Sequence, residues 1–498
     1  MVELMFDRER VVAEFDELFE RRYPSKTAES VGLVERVVVF ARIENRAAAA
    51  QLVAIGDLFA YRLSRCSETE DWAVDTEEAV AAEVAAALRI GQGLAASRVR
   101  YARAMRERLP KVGAVFAAGD IDFRVFVTIV YRTDLIDDPD VLAAVDAELA
   151  AKVGRWPSMG RGRLAGAVDR IVARADRDAV RQRRQQQEGR EVVIDDRVGG
   201  LSEIQGSLLT PHAHALDRRL SALAATVCAQ DPRTHAQRRA DALGALAGGA
   251  DRLGCGCGRS DCAATAGRGA APVVIHVIAE EAAIDGRAAT PGSLVAGDGL
   301  IGPELLAELA ASATLLPLVH PADAAPEPGY VPSKALADFV RCRDLTCRWP
   351  GCDQPAYRCD LDHTIPYTQG GRTHASNLKC YCRTHHLVKT FWGWQEKQLP
   401  DATLILTSPT GHTYVTTPGS AVLFPHLCAP TGALATPPAG PPPGPCAERT
   451  AMMPRRTRSR DQDRAHRIAT ERQHNRQKRC AASQLAGPPP PDDHPPPF

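Results

Sequence analysis

The chain has 498 residues, of which 45% are apolar, and 61 basic residues balance 61 acidic ones. This is enough for more than one buried core, and the whole-chain charge gives no steering towards nucleic acid or an anionic membrane. Eight of the basic residues are Lys and the rest Arg, so an isolated Arg says little about phosphate binding. Aromatic content of 5% with abundant Ala, Leu, Arg and Glu favours helix over sheet. The N-terminus, MVELMFDRERVVAEFDELFERR, has no apolar signal core, and no run of 18 apolar residues occurs. The reading is a cytoplasmic protein with no membrane association.

From Phe6 to about Arg174, apolar residues recur three and four apart and predict a series of long helices. Breaks fall at Pro110, at Gly119-Asp120 and from Gly154 to Pro157. Residues 114 to 130, AVFAAGDIDFRVFVTIV, have the outline of a DNA-reading helix pair. The second helix is too apolar for a solvated groove, so two packed bundle helices are expected. Residues 170 to 190 form an Arg- and Gln-rich helix that reads as a solvated face. REVVIDDRV and SEIQGSLLT predict a hairpin turning at Gly199 and Gly200. A helix follows from Pro211 through Cys228, and residues 271 to 280, APVVIHVIAE, predict a buried strand.

The cysteines fall mainly in two clusters, and clustered Cys with nearby His suggests metal rather than disulfides. In the first, Cys255 and Cys257 are followed by Cys262, three thiols without a fourth ligand at a familiar offset. Cys228, Asp261, His235 and His276 are the candidates, against a reading of free thiols in a Gly-rich loop. The second cluster lies in residues 342 to 394. Cys347 and Cys352 flank a Pro350-Gly351 turn, and Cys382 and His385 sit three apart where a helix begins. Together they offer a Cys3His set suited to tetrahedral, structural zinc. Cys380 is an alternative to Cys382, which has the better offset to His385. Within the loop so closed stand Asp362-His363, a Gly370-Gly371 turn and Asn377, with His386 directly after His385.

This ordered set resembles the HNH endonucleases, the ββα-metal family, in its zinc-stabilised branch. The resemblance implies hydrolysis of DNA phosphodiesters, with His363 as general base and Asp362 and His386 holding a Mg2+ or Mn2+ ion. Asn377 would hold the loop that orients His363, or touch the ion, and Lys389 is a candidate phosphate contact one turn after His386. Trp349, Leu361, Ile365, Leu378 and Trp392 are expected to pack around the site. As a whole the chain looks like the actinobacterial family in which a helical N-terminal domain of unknown function precedes an HNH domain, the mycobacterial repeat-family proteins. The cues are AAGDID at 117 to 122, CGCGRSDC at 255 to 262 and RCRDLTCRWPGCDQPAYRCDLDH. A non-catalytic zinc module that binds nucleic acid or protein is the alternative.

The expected organisation is a mainly α N-terminal domain with a small β element over 1–330, a zinc-stabilised ββα-metal domain over 331–416, and a disordered Pro/Arg-rich tail over 417–498. ATLILTSPTGHTYVTTP predicts a closing hairpin with its turn at Pro409 to Gly411. In the tail, Glu448 to Arg479 carries 11 basic and four acidic residues, a polybasic tether or a solvated spacer. DNA is the expected partner, with a homodimer needed if both strands are cut together.

Overall fold

A computed structural model describes residues 13–14, 17–18, 27–66, 69–180, 191–197, 201–208, 210–262, 264, 276–295, 300–311, 313–432 and 452–485. The chain divides into two compact units, neither of them continuous in sequence. One comprises residues 1–70, 96–181 and 458–498, the other residues 71–95 and 182–457.

The first unit is helical. Helix α1 (Ala28–Leu63) starts at a capping box between Thr27 and Ser30 and buries Leu52, Ile55 and Phe59. Four shorter helices, α4 (Pro110–Ala117), α5 (Phe123–Arg132), α6 (Pro139–Val153) and α7 (Arg161–Ala175), complete the core with the C-terminal part of α3 (Gln92–Arg103). Pro110 opens α4, and Gly119 takes a positive φ of 85° to turn the chain between α4 and α5. Phe126 and Ile129 of α5 are fully buried, the bundle packing expected of FRVFVTIV.

The segment read as a disordered tail instead contains a 26-residue helix, α13 (Arg460–Leu485), in this same unit. Five of its arginines are ion-paired. Arg464 and Arg467 pair with Asp134, Arg472 with Asp176, and Arg476 and Arg479 with Asp178. Ile468 and Asn475 are buried on the same face, and Asn475 Nδ2 donates to the carbonyls of Asp178 and Val180. Complementary carboxylates are what the composition argument left out. The two Pro-rich runs, 436–445 and 487–498, lie outside the described residues.

The second unit opens with α2 (Thr76–Leu88), whose sequence TEEAVAAEVAAAL is apolar on nearly every side and is accordingly buried. Strands β1 (Val192–Arg197) and β2 (Leu201–Gly206) pair antiparallel as predicted, the turn itself lying outside the described residues. Helices α8 (Thr210–Ala224) and α9 (His235–Ala247) follow. Of the strand predicted over 271–280, residues 271–275 lie outside the described residues, and Val277–Ile278 forms β3, pairing with β4 (Gly292–Leu294), which pairs with β5 (Leu300–Ile301). After α10 (Pro303–Ala310) and α11 (Lys334–Asp344) come β6 (Asp360–His363) and β7 (Leu378–Tyr381), an antiparallel pair, and α12 (Arg383–Phe391). A further antiparallel sheet is ordered β10 (Thr413–Thr416), β9 (Leu404–Thr407), β8 (Gln395–Gln398), so the predicted closing hairpin gains a third strand.

Two boundaries differ from the sequence reading. Trp72, Val74, Ala82 and Ala86 share one core with Phe339, Trp349, Leu378 and Phe391, so residues 71–95 belong with the C-terminal elements. Trp392 Nε1 donates to the carbonyl of Val74 at 3.1 Å, and its ring meets Trp72 edge-on. Residues 417–432 also pack, burying Phe424 and Leu427 in that core.

Candidate metal and catalytic site

The β6–β7–α12 unit is held from below by a buried ionic knot. Arg343, at the end of α11, donates to the carbonyls of Ala375 and Leu378 and to Asp344, and Asp344 accepts the backbone N–H of Cys380. Arg348 adds a second cation to Asp344 at 3.2 Å. Asp344 thus takes charge from both arginines and a backbone N–H, which offsets much of the cost of burying so polar a group in the core.

Cys347, Cys352, Cys382 and His385 converge, their ligand atoms all within 4.8 Å of one another. The tight turn that returns Cys352 beside Cys347 uses Gly351 at a φ of 75°. Nδ1 of His385 lies 3.5 Å from Sγ of Cys347 and 3.2 Å from Sγ of Cys382. The His385 ring stacks on Trp349 with centroids 4.7 Å apart, and its Nε2 faces Oε1 of Gln92 at 3.4 Å. Burial pushes the Cys347 thiol up and neighbouring thiols push Cys352 up, whereas hydrogen bonds from both hold Cys382 down. A partly buried group of three sulfurs and one imidazole is the donor set that a tetrahedral zinc ion satisfies. Cys380 is fully buried with its Sγ beside the carbonyl of Val340, outside this set.

Period-two alternation along β6 sends its two carboxylates towards α12. His386 Nδ1 lies 2.9 Å from Oδ2 of Asp360, and its Nε2 lies 3.3 Å from Oδ1 of Asp362. A carboxylate only accepts, so Asp360 fixes the Nδ1–H tautomer and turns Nε2 towards Asp362. Burial alone would lower the His386 pKa, but Asp362 and Asp360 outweigh it and hold it above the usual value. This position calls for positive charge, supplied by a proton or by a cation. Two cis ligands of a cation with bond lengths of about 2.1 Å sit about 3 Å apart, close to the observed separation. By spacing alone, Asp362 and His386 stand as two ligands of one cation would. The pair is not among the groups of three or more converging ligands in the described residues.

Asp362 is also the centre of an ion-pair network invisible in the motif. Lys379 Nζ, with no exposed side-chain surface, is 2.7 Å from Asp362 Oδ2 and 2.5 Å from Glu396 Oε1. Lys389 Nζ reaches Asp362 at 2.9 Å, Glu396 at 3.2 Å and the carbonyl of His363 at 2.6 Å. Lys389 therefore points inward with its donors engaged, which corrects its reading as a phosphate contact. Tyr381 donates to Glu396 at 2.8 Å, closing the network. Despite the opposing pull of burial, Lys379, His386 and Lys389 hold Asp362 well below the usual carboxylate range.

His363, next along β6, faces other partners. Thr373 Oγ1 lies 2.5 Å from the carbonyl of Gly329, to which it donates, and so it accepts from His363 Nε2 at 2.9 Å. That leaves Nδ1 carrying the lone pair. Burial pushes the His363 pKa below its ordinary value, with Asp362 pulling the other way. Tyr330 stacks over the imidazole at 5.1 Å and Tyr367 meets it edge-on at 5.8 Å.

Asn377 pins the loop between the strands. Its Oδ1 accepts from the Ile365 N–H at 2.8 Å, and its Nδ2 donates to the carbonyls of Ile365 and Arg372. These bonds commit both polar atoms of the amide to loop backbone. Of the expected packing residues, Trp349 and Leu378 are buried in the core, Leu361 and Trp392 pack partly buried against it, and Ile365 stands at the loop. Lys379, Glu396, Asp360, Thr373 and Tyr330 were missed. Asp360 was legible, being two residues before Asp362 on a strand.

The chain belongs to the DUF222 family, described as a domain of unknown function, which it matches over residues 40–344. The candidate site begins just beyond the end of that match. The chain is 44% identical over 480 residues to the uncharacterized protein Rv3776 of Mycobacterium tuberculosis, covering 91% of this chain and 92% of that one. It is 42% identical over 504 residues to the uncharacterized protein Rv2100 of the same organism, covering 92% and 91%. No solved structure matches the chain. Among the described residues, no single helix is long and apolar enough to cross a membrane.

Proposed function

We propose that this protein is a metal-dependent endonuclease of the HNH type that hydrolyses DNA phosphodiester bonds. The observation that carries the reading is the disposition of β6, which presents Asp362 to His386 on one side and His363, with Nδ1 unprotonated, on the other. Asp362 and His386 would hold a divalent cation, Mg2+ or Mn2+, which would supply neutralisation of charge at the scissile phosphate and the leaving oxygen. His363 Nδ1 takes the proton of the attacking water, an imidazole kept neutral by burial being suited to that task. Thr373 fixes the tautomer that exposes Nδ1, Asp360 fixes that of His386, and Asn377 holds the intervening loop. Zinc at Cys347, Cys352, Cys382 and His385 stabilises the fold around these residues. The reduced thiols such a site needs suit a cytoplasmic setting. One site per chain cuts one strand, so a double-strand break needs a homodimer or two encounters.

A second reading, a non-catalytic zinc module that binds nucleic acid or protein, is favoured by one observation: Lys379 and Lys389 both occupy Asp362. Incubation of supercoiled plasmid with the full chain and Mg2+ or Mn2+ separates the two. Cutting by wild type, absent with EDTA and in His363→Ala, supports the nuclease. A zinc-loaded wild type that leaves the plasmid intact, but retards it in a gel, supports the binding module.

A further inference from the structure

A second group of ligands lies apart from this site. Cys228, in the turn after α8, meets Cys255, Cys257 and Cys262 from the segment after α9, with the four Sγ atoms all within 4.8 Å of one another. Sγ of Cys228 and Sγ of Cys255 are 3.5 Å apart, and none of the four is in a disulfide. Four sulfurs around one zinc ion at about 2.3 Å lie about 3.8 Å from each other, so this spacing is that of a tetrahedral thiolate site. A disulfide would instead bring one pair to about 2.05 Å and leave two thiols over.

The surrounding chain is built to hold this arrangement. Asp231 Oδ2 accepts the N–H of Gly256, between the first two cysteines of the segment, at 2.8 Å. Arg233 bonds Asp231 through Nε and Nη2, and the same Nη2 donates to the carbonyl of Gly254 at 2.6 Å. Thr226 Oγ1 accepts from the N–H of Leu253, tying the Cys228 turn to the same segment. Gly258, at a φ of 70°, bends the chain after Cys257 so that Cys262 returns. Asp261 is committed to Arg259, and the other candidates for the fourth ligand give way to Cys228. The local need is clear as well. Among the described residues, the cluster between α8 and α9 buries Leu220, Leu223 and Ala242 with Leu216, Leu243 and Leu246 partly buried against them, a small core for a helix pair and two long loops.

We propose that Cys228, Cys255, Cys257 and Cys262 bind a second zinc ion in a closed, four-thiolate structural site. It joins the α8–α9 connection to the segment after α9 and, having four protein ligands, offers no position to a substrate. Its existence does not depend on the nuclease reading.

The test is elemental analysis of the full chain purified under reducing conditions. Wild type is expected to carry two zinc ions, falling to one in Cys257→Ser and to one in Cys347→Ser. A zinc content unchanged by Cys257→Ser overturns the proposal, as does iron in place of zinc or a Cys228–Cys255 disulfide on alkylation and mass spectrometry. Should the variants fail to fold, cobalt-substituted wild type decides. Its sulfur-to-cobalt charge-transfer absorbance should correspond to seven thiolates, and a value for three refutes the second site.

Discussion

Asp362 and Lys379 are partners across the β6–β7 ladder, and Lys379 Nζ lies 2.7 Å from Asp362 Oδ2 in a place with almost no solvent access. The lysine also neutralises Glu396 of β8, so one buried cation balances the central carboxylate of the candidate site and links it to the neighbouring sheet.

Replacing that cation leaves two carboxylates sharing Lys389. Lys379→Met is expected to lower the unfolding free energy by about 3–5 kcal/mol, the usual consequence of breaking a buried ion pair from one side. Adding Glu396→Gln should recover part of the loss. Urea denaturation of the two single variants and the double variant measures this, and strict additivity would refute the coupling.

A side chain at Gly371 has nowhere to go. A Cβ there would fall 1.8 Å from the carbonyl oxygen of Ile365 and 2.9 Å from Asn377 Nδ2. Gly371→Ala is expected to cost on the order of 3 kcal/mol and to displace the loop that positions His363. A thermal melt within experimental error of wild type would contradict this geometry.

Acid should release α13. Burial pushes the Asp178 pKa up, but Arg476 and Arg479 outweigh it and hold the folded value below the ordinary one. A depressed folded pKa gives stability that is complete above the unfolded pKa, about 3.9, and lost as pH falls through the lower folded value. Proteolysis within residues 460–485 should therefore be slow at pH 5 to 7 and rise below about pH 4. In Asp178→Asn it should already be fast at pH 7. Equal rates in the two proteins at pH 7 would show that these pairs do not dock the helix.

On the proposed nuclease reading, the two metal roles separate by their order of failure. His363→Ala is expected to keep its zinc and its melting temperature while losing cleavage about 10²- to 10⁴-fold. Cys347→Ser should first lose zinc and stability in the C-terminal elements, and activity only as a result. Zinc loss in His363→Ala would show the assigned roles to be interchanged.

The ligands of the Cys3His group were legible because their spacing is local. Cys347 and Cys352 bracket a Pro-Gly turn, and Cys382 and His385 share the first turn of one helix, so short-range geometry nearly assembles each pair. Asn377 was legible for a related reason, since an amide at the end of a tight loop finds loop backbone. Lys389 was misread because helix periodicity gives its face but not what the face meets; Glu396 on β8, an unpredicted strand, draws it inward. The α13 helix was hidden by composition, although Arg464, Ile468, Arg472, Asn475 and Arg479 recur three and four apart along one face.

The sequence by itself determined the helical character of residues 28–175, the Cys347/Cys352 and Cys382/His385 pairs and the alternation that places Asp360 and Asp362 on one face of β6. Each follows from steric rules acting over a few residues. Only the tertiary structure decided that Cys228 joins three thiols 27 or more positions away, that Lys379 and Glu396 close a network around Asp362, and that residues 71–95 belong to the C-terminal core. Those choices depend on which surfaces bury one another and which charges must be neutralised once buried, and separation along the chain carries no record of either.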